Sequence, residues 1–151
     1  MTRTRLRSKD TEKELQQYGV KFNKNDILEI VEEKHKILFI NKQPSFFRYQ
    51  NHWIPTLKYL QANPAILKSI TIDMGAVKFI VNGADLMRPG ILALDPAIQK
   101  DEPITIIDQN NKKPIAVGIT LYDSAGILML ISGKVVKNIH YVGDDLWKIE
   151  A

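Results

Sequence analysis

The sequence predicts two consecutive folding units, an α+β domain over residues 1–74 and a mostly β pseudo-barrel over residues 75–151. Three observations lead there. Up to about Met74, helical patterns alternate with branched and aromatic runs, whereas after Gly75 strand patterns follow one another with turn residues between them. The 151 residues suit one ordinary domain or two small ones, and 44% hydrophobic with 25% charged residues supplies enough apolar mass for packed cores. Five or six short strands within roughly 75 residues favour a barrel that closes its own edges.

In chain order, Arg3, Arg5, Arg7 and Lys9 recur at every second position, as in a flexible basic arm. From Ser8 to Tyr18 a short surface helix is expected, with Thr11 and Glu14 as a capping box, Leu15 and Tyr18 on one face, and Gly19 as the stop. Ile27 to Val31 fits helix and strand alike and leans to strand. Ile37 to Ile40 and Phe46 to Tyr49 read as paired strands across an Asn41–Ser45 turn, and Phe46, Phe47, Tyr49 and Trp53 as aromatics packing that sheet on a helix. Pro55 suits a first helical position before Leu57 and Leu60, and Asn63-Pro64 ends the run.

In the second half, Val77, Phe79 and Val81 alternate as a strand would, and so do Ile115, Val117, Ile119 and Leu121. Asp108 to Pro114 has hairpin-loop composition, and Gly143-Asp144-Asp145 separates a strand over Val135–Val142 from another over Leu146–Glu150. Trp147 and His140-Tyr141 read as core. Ile127 to Ile131 fits either a buried strand or a short helix capped by Ser124 and ended by Gly133.

Composition removes whole classes of chemistry. With no cysteine there is no disulfide, thiolate metal site or cysteine nucleophile. The three histidines, His35, His52 and His140, lack metal-site spacing, and HExxH, GxSxG, P-loop and GxGxxG motifs are absent. The acid pairs Glu32-Glu33, Asp101-Glu102 and Asp144-Asp145 fall in polar settings that suit solvated carboxylates. No enzyme activity, metal or cofactor is therefore expected. No apolar h-region follows the basic start, and nowhere do about 18 apolar residues run together, so a cytoplasmic protein without a membrane partner is expected. The net charge of +4 is uneven: residues 1–74 hold 13 Lys/Arg against 8 Asp/Glu, or +5, while residues 75–151 hold 8 against 9, or −1. An anionic partner is favoured.

The candidate site is the segment Gly83, Ala84, Asp85, Leu86, Met87, Arg88, Pro89 and Gly90, read as tight turn and short helix between the Val77 strand and Ile91–Leu94. Gly83 permits positive φ, Asp85 suits a helix cap, Pro89 disfavours helix at Arg88, and Gly90 allows a left-handed exit. These local duties explain the segment by themselves. The functional alternative is a glycine-flanked turn presenting backbone N–H groups beside Arg88, whose planar fork suits phosphate.

Gly83 to Gly90, preceded by Gly75-Ala76-Val77-Lys78-Phe79-Ile80-Val81, resembles the opening signature of a PUA domain, a small RNA-binding pseudo-barrel. Pro114 to Ile119 resembles that family's central strand with its glycine, and Asn138 to Trp147 its closing hairpin. Phe46-Phe47-Arg48-Tyr49 and Ile54 to Leu60 resemble the N-terminal domain of the MCT family of translation-associated proteins, related to ligatin. The resemblance implies a non-catalytic RNA binder that contacts tRNA or the small ribosomal subunit in initiation or recycling, with RNA over the 83–90 segment. Lys78 and Lys148 are added on electrostatic grounds, and Arg48 and Lys58 as secondary contacts. Two alternatives stand beside it: an accessory subunit of a tRNA- or rRNA-modifying enzyme, and a docking module for another translation factor. Which RNA is bound and the oligomeric state are not fixed by the sequence.

Overall fold

The computed structural model describes residues 2–150 and contains two sheets. The first is antiparallel, in the order β1 (Thr2–Arg5), β2 (Leu28–Glu32), β3 (Lys36–Ile40), β4 (Gln43–Tyr49), β5 (His52–Pro55). Asn41 and Lys42, at φ 50° and 68°, make the left-handed pair that a two-residue hairpin turn requires between β3 and β4. The start of the expected basic arm is strand β1, paired from Thr2↔Glu32 to Arg5↔Glu29. Arginine at every second position is strand periodicity here, and it puts Arg3 and Arg5 on one face. Arg3 and Lys42 both pair with Glu29 there, at 3.6 and 2.9 Å.

Helix α1 (Ser8–Glu14) and a 3-10 turn over Gln16–Tyr18 end at Gly19, φ 69°. The capping box does not form: Thr11 lies inside the helix, and its hydroxyl donates to the Arg7 carbonyl at 3.1 Å. Nor does Pro55 start a helix. It ends edge strand β5, where its missing N–H costs no ladder bond, and Thr56 caps α2 (Leu57–Ala62) by accepting from the Tyr59 amide at 3.2 Å. The aromatics pack as expected, with Phe46, Phe47 and Trp53 buried. Leu15, Leu28, Leu38, Phe46 and Trp53 fill one side of the sheet. On the other side Ile37, Phe39, Phe47 and Ile54 meet Leu57 and Leu60 of α2, together with Val117 and Leu146 from the second half. The two halves therefore share a core.

The second sheet runs β7 (Leu86–Met87), β11 (Lys134–Tyr141), β10 (Pro114–Thr120), β9 (Pro103–Asp108), β6 (Ser69–Ile72), β8 (Ile91–Leu94). Strand β6 pairs parallel with β9 and antiparallel with β8. A boundary at residue 74 would cut β6 from its own sheet, because the chain changes sheets between Pro55 and Ser69.

Residues 77–81 are not a strand. Asp73 accepts from the Ala76 amide at 2.9 Å and starts helix α3 (Met74–Ile80), which buries Ile80 and leaves Lys78 and Phe79 exposed. The apolar residues occupy both phases of the alternation, so period two was indistinguishable from one short helical face. Asp73→Ala is expected to cost about 1 kcal/mol, read as a lower urea midpoint with unchanged slope.

The open segment resolves as helix α4 (Ser124–Met129), capped by Asp123 rather than Ser124; the Ser124 hydroxyl is buried and donates to the Asp95 carbonyl at 2.6 Å. Residues 146–150 form no strand. The Asp144 carboxylate accepts from the Tyr141 and Trp147 amides at 2.9 and 2.8 Å, turning the chain so that Leu146, Trp147 and Ile149 pack on the core shared with the first sheet.

Candidate nucleic-acid interface

The turn after α3 is shaped by its glycines and by one carboxylate. Gly83 has φ 94° and lies against the Tyr141 ring, where a Cβ would come 3.2 Å from the phenol oxygen. Gly90 serves by close packing, not by a left-handed exit: a Cβ there would meet the Ala76 Cβ at 3.2 Å. Short β7 then pairs with β11, and Arg88–Gly90 form a single 3-10 turn before β8.

Asp85 caps no helix. Its carboxylate accepts from the Asn138 amide at 2.8 Å and pairs with Lys134 at 3.1 Å, fastening the turn to β11. The Asn138 side chain donates to the Ile80 and Ala84 carbonyls at 3.0 Å each, so the turn is held from both sides. Burial pushes the Asp85 carboxyl up, but the Asn138 amide and the Lys134 ammonium outweigh it and hold the group below its ordinary 3.8. The charge of Asp85 is thus balanced by Lys134 and does not oppose an incoming phosphate.

Arg88 is half-buried; its Nε donates to the Ile127 carbonyl at 2.9 Å, which anchors the stem of the side chain on α4. Lys78 is exposed on α3, with its ammonium 5.1 Å from the centre of the exposed Phe79 ring. Antiparallel pairing brings in two cations that the sequence reading missed, Lys134 opposite Met87 and the exposed Lys137 on the same strand. Among the described residues, Lys134–Asp85 is the one ion pair at this corner. Met87 (49% exposed) lies beside Arg88, and α4 ends in Leu128 and Met129 at 61 and 86%, with Ile131 just beyond it at 91%. The corner is therefore cationic, held rigidly, and bordered by exposed apolar side chains. Within the candidate segment, Ala84 and Pro89 are exposed and Leu86 is a core residue.

The other candidate cations are placed differently. Lys148 is exposed on the C-terminal tail and lines a cavity with Tyr141. Arg48 stacks 4.8 Å from the Trp53 ring centre and pairs with Glu14 at 3.5 Å. Lys58 reaches the Ile149 carbonyl at 3.4 Å and lies 5.3 Å from the Trp147 ring centre. Both are engaged within the protein. Among the described residues, no group of three or more His, Asp or Glu side chains is placed to hold a metal ion, and no helix is long and apolar enough to cross a membrane.

This fold and this glycine-bounded corner define a PUA-domain protein with an N-terminal α+β domain. The PUA domain family matches residues 68–142, and a family described as a domain of unknown function (DUF1947) matches residues 6–63. A Methanocaldococcus jannaschii protein described only as uncharacterized is 38% identical over 120 residues, which is 80% of this chain and 74% of that one. Malignant T-cell-amplified sequence 1 of Danio rerio is 32% identical, covering 84% of this chain and 74% of its own. Translation machinery-associated protein 20 of Eremothecium gossypii is 30% identical, covering 76% and 67%. Among solved structures, a hypothetical Pyrococcus horikoshii protein superposes with TM-score 0.85 at 27% identity over 99% of this chain and 100% of that one. The chain belongs to the MCT family of PUA-domain proteins, which contains the malignant T-cell-amplified sequence and translation machinery-associated proteins.

Proposed function

We propose that this chain is a non-catalytic RNA-binding protein of the translation machinery, acting in the cytoplasm on tRNA or the small ribosomal subunit during initiation or recycling. Its family membership supports the translation setting, because relatives carry that association in their names. One observation carries the assignment of the surface. Lys78, Arg88 and Lys137 surround a turn whose own carboxylate is already balanced, so positive charge faces outward from a rigid corner. Phosphate contacts supply affinity there, and the backbone shape of residues 83–90 positions a folded RNA.

A salt titration of tRNA and small-subunit binding tests this. Arg88→Glu with Lys78→Glu is expected to weaken binding at least tenfold and to flatten the dependence of log K on log salt by about 2. Binding that is absent at low salt, or unchanged in the double variant, would refute the surface. A protein-docking role has its own support in the exposed Leu128 and Met129 at the end of α4 and Ile131 just past it. Charge reversals that abolish RNA binding while a translation factor still co-purifies would separate the two roles.

A further inference from the structure

Two cavities open where the first sheet meets the C-terminal tail. The larger, about 530 Å³, has an apolar floor of Val31, Ile37, Phe39 and Ile149. The second, about 460 Å³, extends to Tyr141, the residue on which Gly83 rests. Lys34, His35, Asp145 and Lys148 line both. Tyr141 therefore borders both the candidate RNA corner and the second cavity.

The chemistry of the larger cavity selects its occupant. Lys34 and Lys148 offer donors, while Glu33 and Asp145 offer acceptors, so the rim has no net sign and does not favour a simple anion. A heterocyclic base has apolar faces for the floor and an edge of mixed donors and acceptors for the rim. The Lys34–Asp145 pair, 2.6 Å long and made by two residues that line both cavities, is largely exposed at 74 and 64%, so it is solvent-screened and yields readily.

We propose that this cavity receives an unpaired base of the RNA held at the Gly83–Gly90 turn. The proposal rests on the RNA-binding function above and specifies its substrate as a structured RNA with an adjoining single-stranded segment.

Fluorescence anisotropy with three labelled hairpins of identical stem provides the test: one blunt, one with a short unpaired 5′ tail, one with a short unpaired 3′ tail. The wild-type protein is expected to bind one tailed hairpin about tenfold more tightly than the blunt one, the factor a single stacked base supplies. Val31→Trp, which fills the floor, removes that preference and leaves the blunt-hairpin Kd unchanged. If thermal melting shows that Val31→Trp does not fold, His35→Ala decides in its place. Equal binding of all three hairpins by wild type, or a preference that survives in the deciding variant, overturns the base-binding cavity alone. Failure of wild type to bind any hairpin, tRNA or ribosomal subunit overturns the RNA-binding function and the cavity with it.

Discussion

Replacing His140 with alanine is expected to destabilise the protein by about 3–5 kcal/mol, the range for emptying a buried aromatic site and orphaning its polar partners. The ring is 1% exposed and joins the two halves. Nε2 accepts from the Leu57 amide at the start of α2, 3.1 Å away. A backbone amide only donates, so the ring proton sits on Nδ1 and is given to the Asp144 carboxylate at 2.9 Å. Phe47 of the first sheet meets the imidazole edge-on with centroids 5.4 Å apart. Alanine removes the contact, strands the Leu57 N–H and deprives Asp144 of a donor. Urea unfolding checks the loss, and His140→Phe, which restores volume but no hydrogen bonds, is expected to recover only part of it. A midpoint within experimental error of wild type would show that the halves are joined by apolar packing alone.

The same contact has a pH signature. Burial pushes the Asp144 carboxyl up, but hydrogen bonds from His140 and from the Trp147 and Tyr141 amides outweigh it and hold the group below 3.8. A carboxyl depressed in the folded state binds fewer protons there than in the unfolded chain. Its contribution is therefore complete above the ordinary value of 3.8 and is lost as pH falls through the lower folded value. His140→Ala is expected to shrink that acid-dependent component as well as the neutral-pH stability.

These long-range features explain what the sequence made legible and what it did not. Strands β3 and β4 were readable because branched and aromatic runs and the Asn41 turn act over a few residues. The candidate corner was readable through Gly83 and Arg88, which lie in one short segment, but not through Lys134 and Lys137, which reach it only by the pairing of β11 with β7. Residues 77–81 misled because a short apolar run satisfies two periodicities, and only the Asp73 cap decides between them. The C-terminal residues misled for a different reason. Trp147 and Ile149 alternate with Lys148 and Glu150 as a strand would, yet their partner surface is the shared core and not a neighbouring strand. His140 was readable as core, but its partners Leu57 and Phe47 lie in the other half of the chain, and no local pattern announces them.

Gly118→Ala is the second substitution expected to have a large effect, about 3 kcal/mol, because no neighbour is free to retreat. Gly118 lies in β10, which is paired on both edges, with β9 and with β11. The register of β10 on β11 shifts between Val117 and Gly118, bringing the strands so close that an added Cβ would overlap the Val136 side chain and stand 2.9 Å from the Lys137 carbonyl oxygen. Val136 is fully buried, and the carbonyl belongs to the backbone of β11, so relief requires the strands to separate. The neighbouring pair in that ladder is Val117↔His140, which makes any separation at Gly118 a displacement of the His140 ring from Leu57. The two substitutions therefore act on one structural unit, and the double variant Gly118→Ala/His140→Ala is expected to cost less than the sum of the singles by at least 0.5 kcal/mol. Additive losses in matched urea titrations would mean that the close approach at Gly118 serves the barrel alone and leaves the contact between the halves undisturbed.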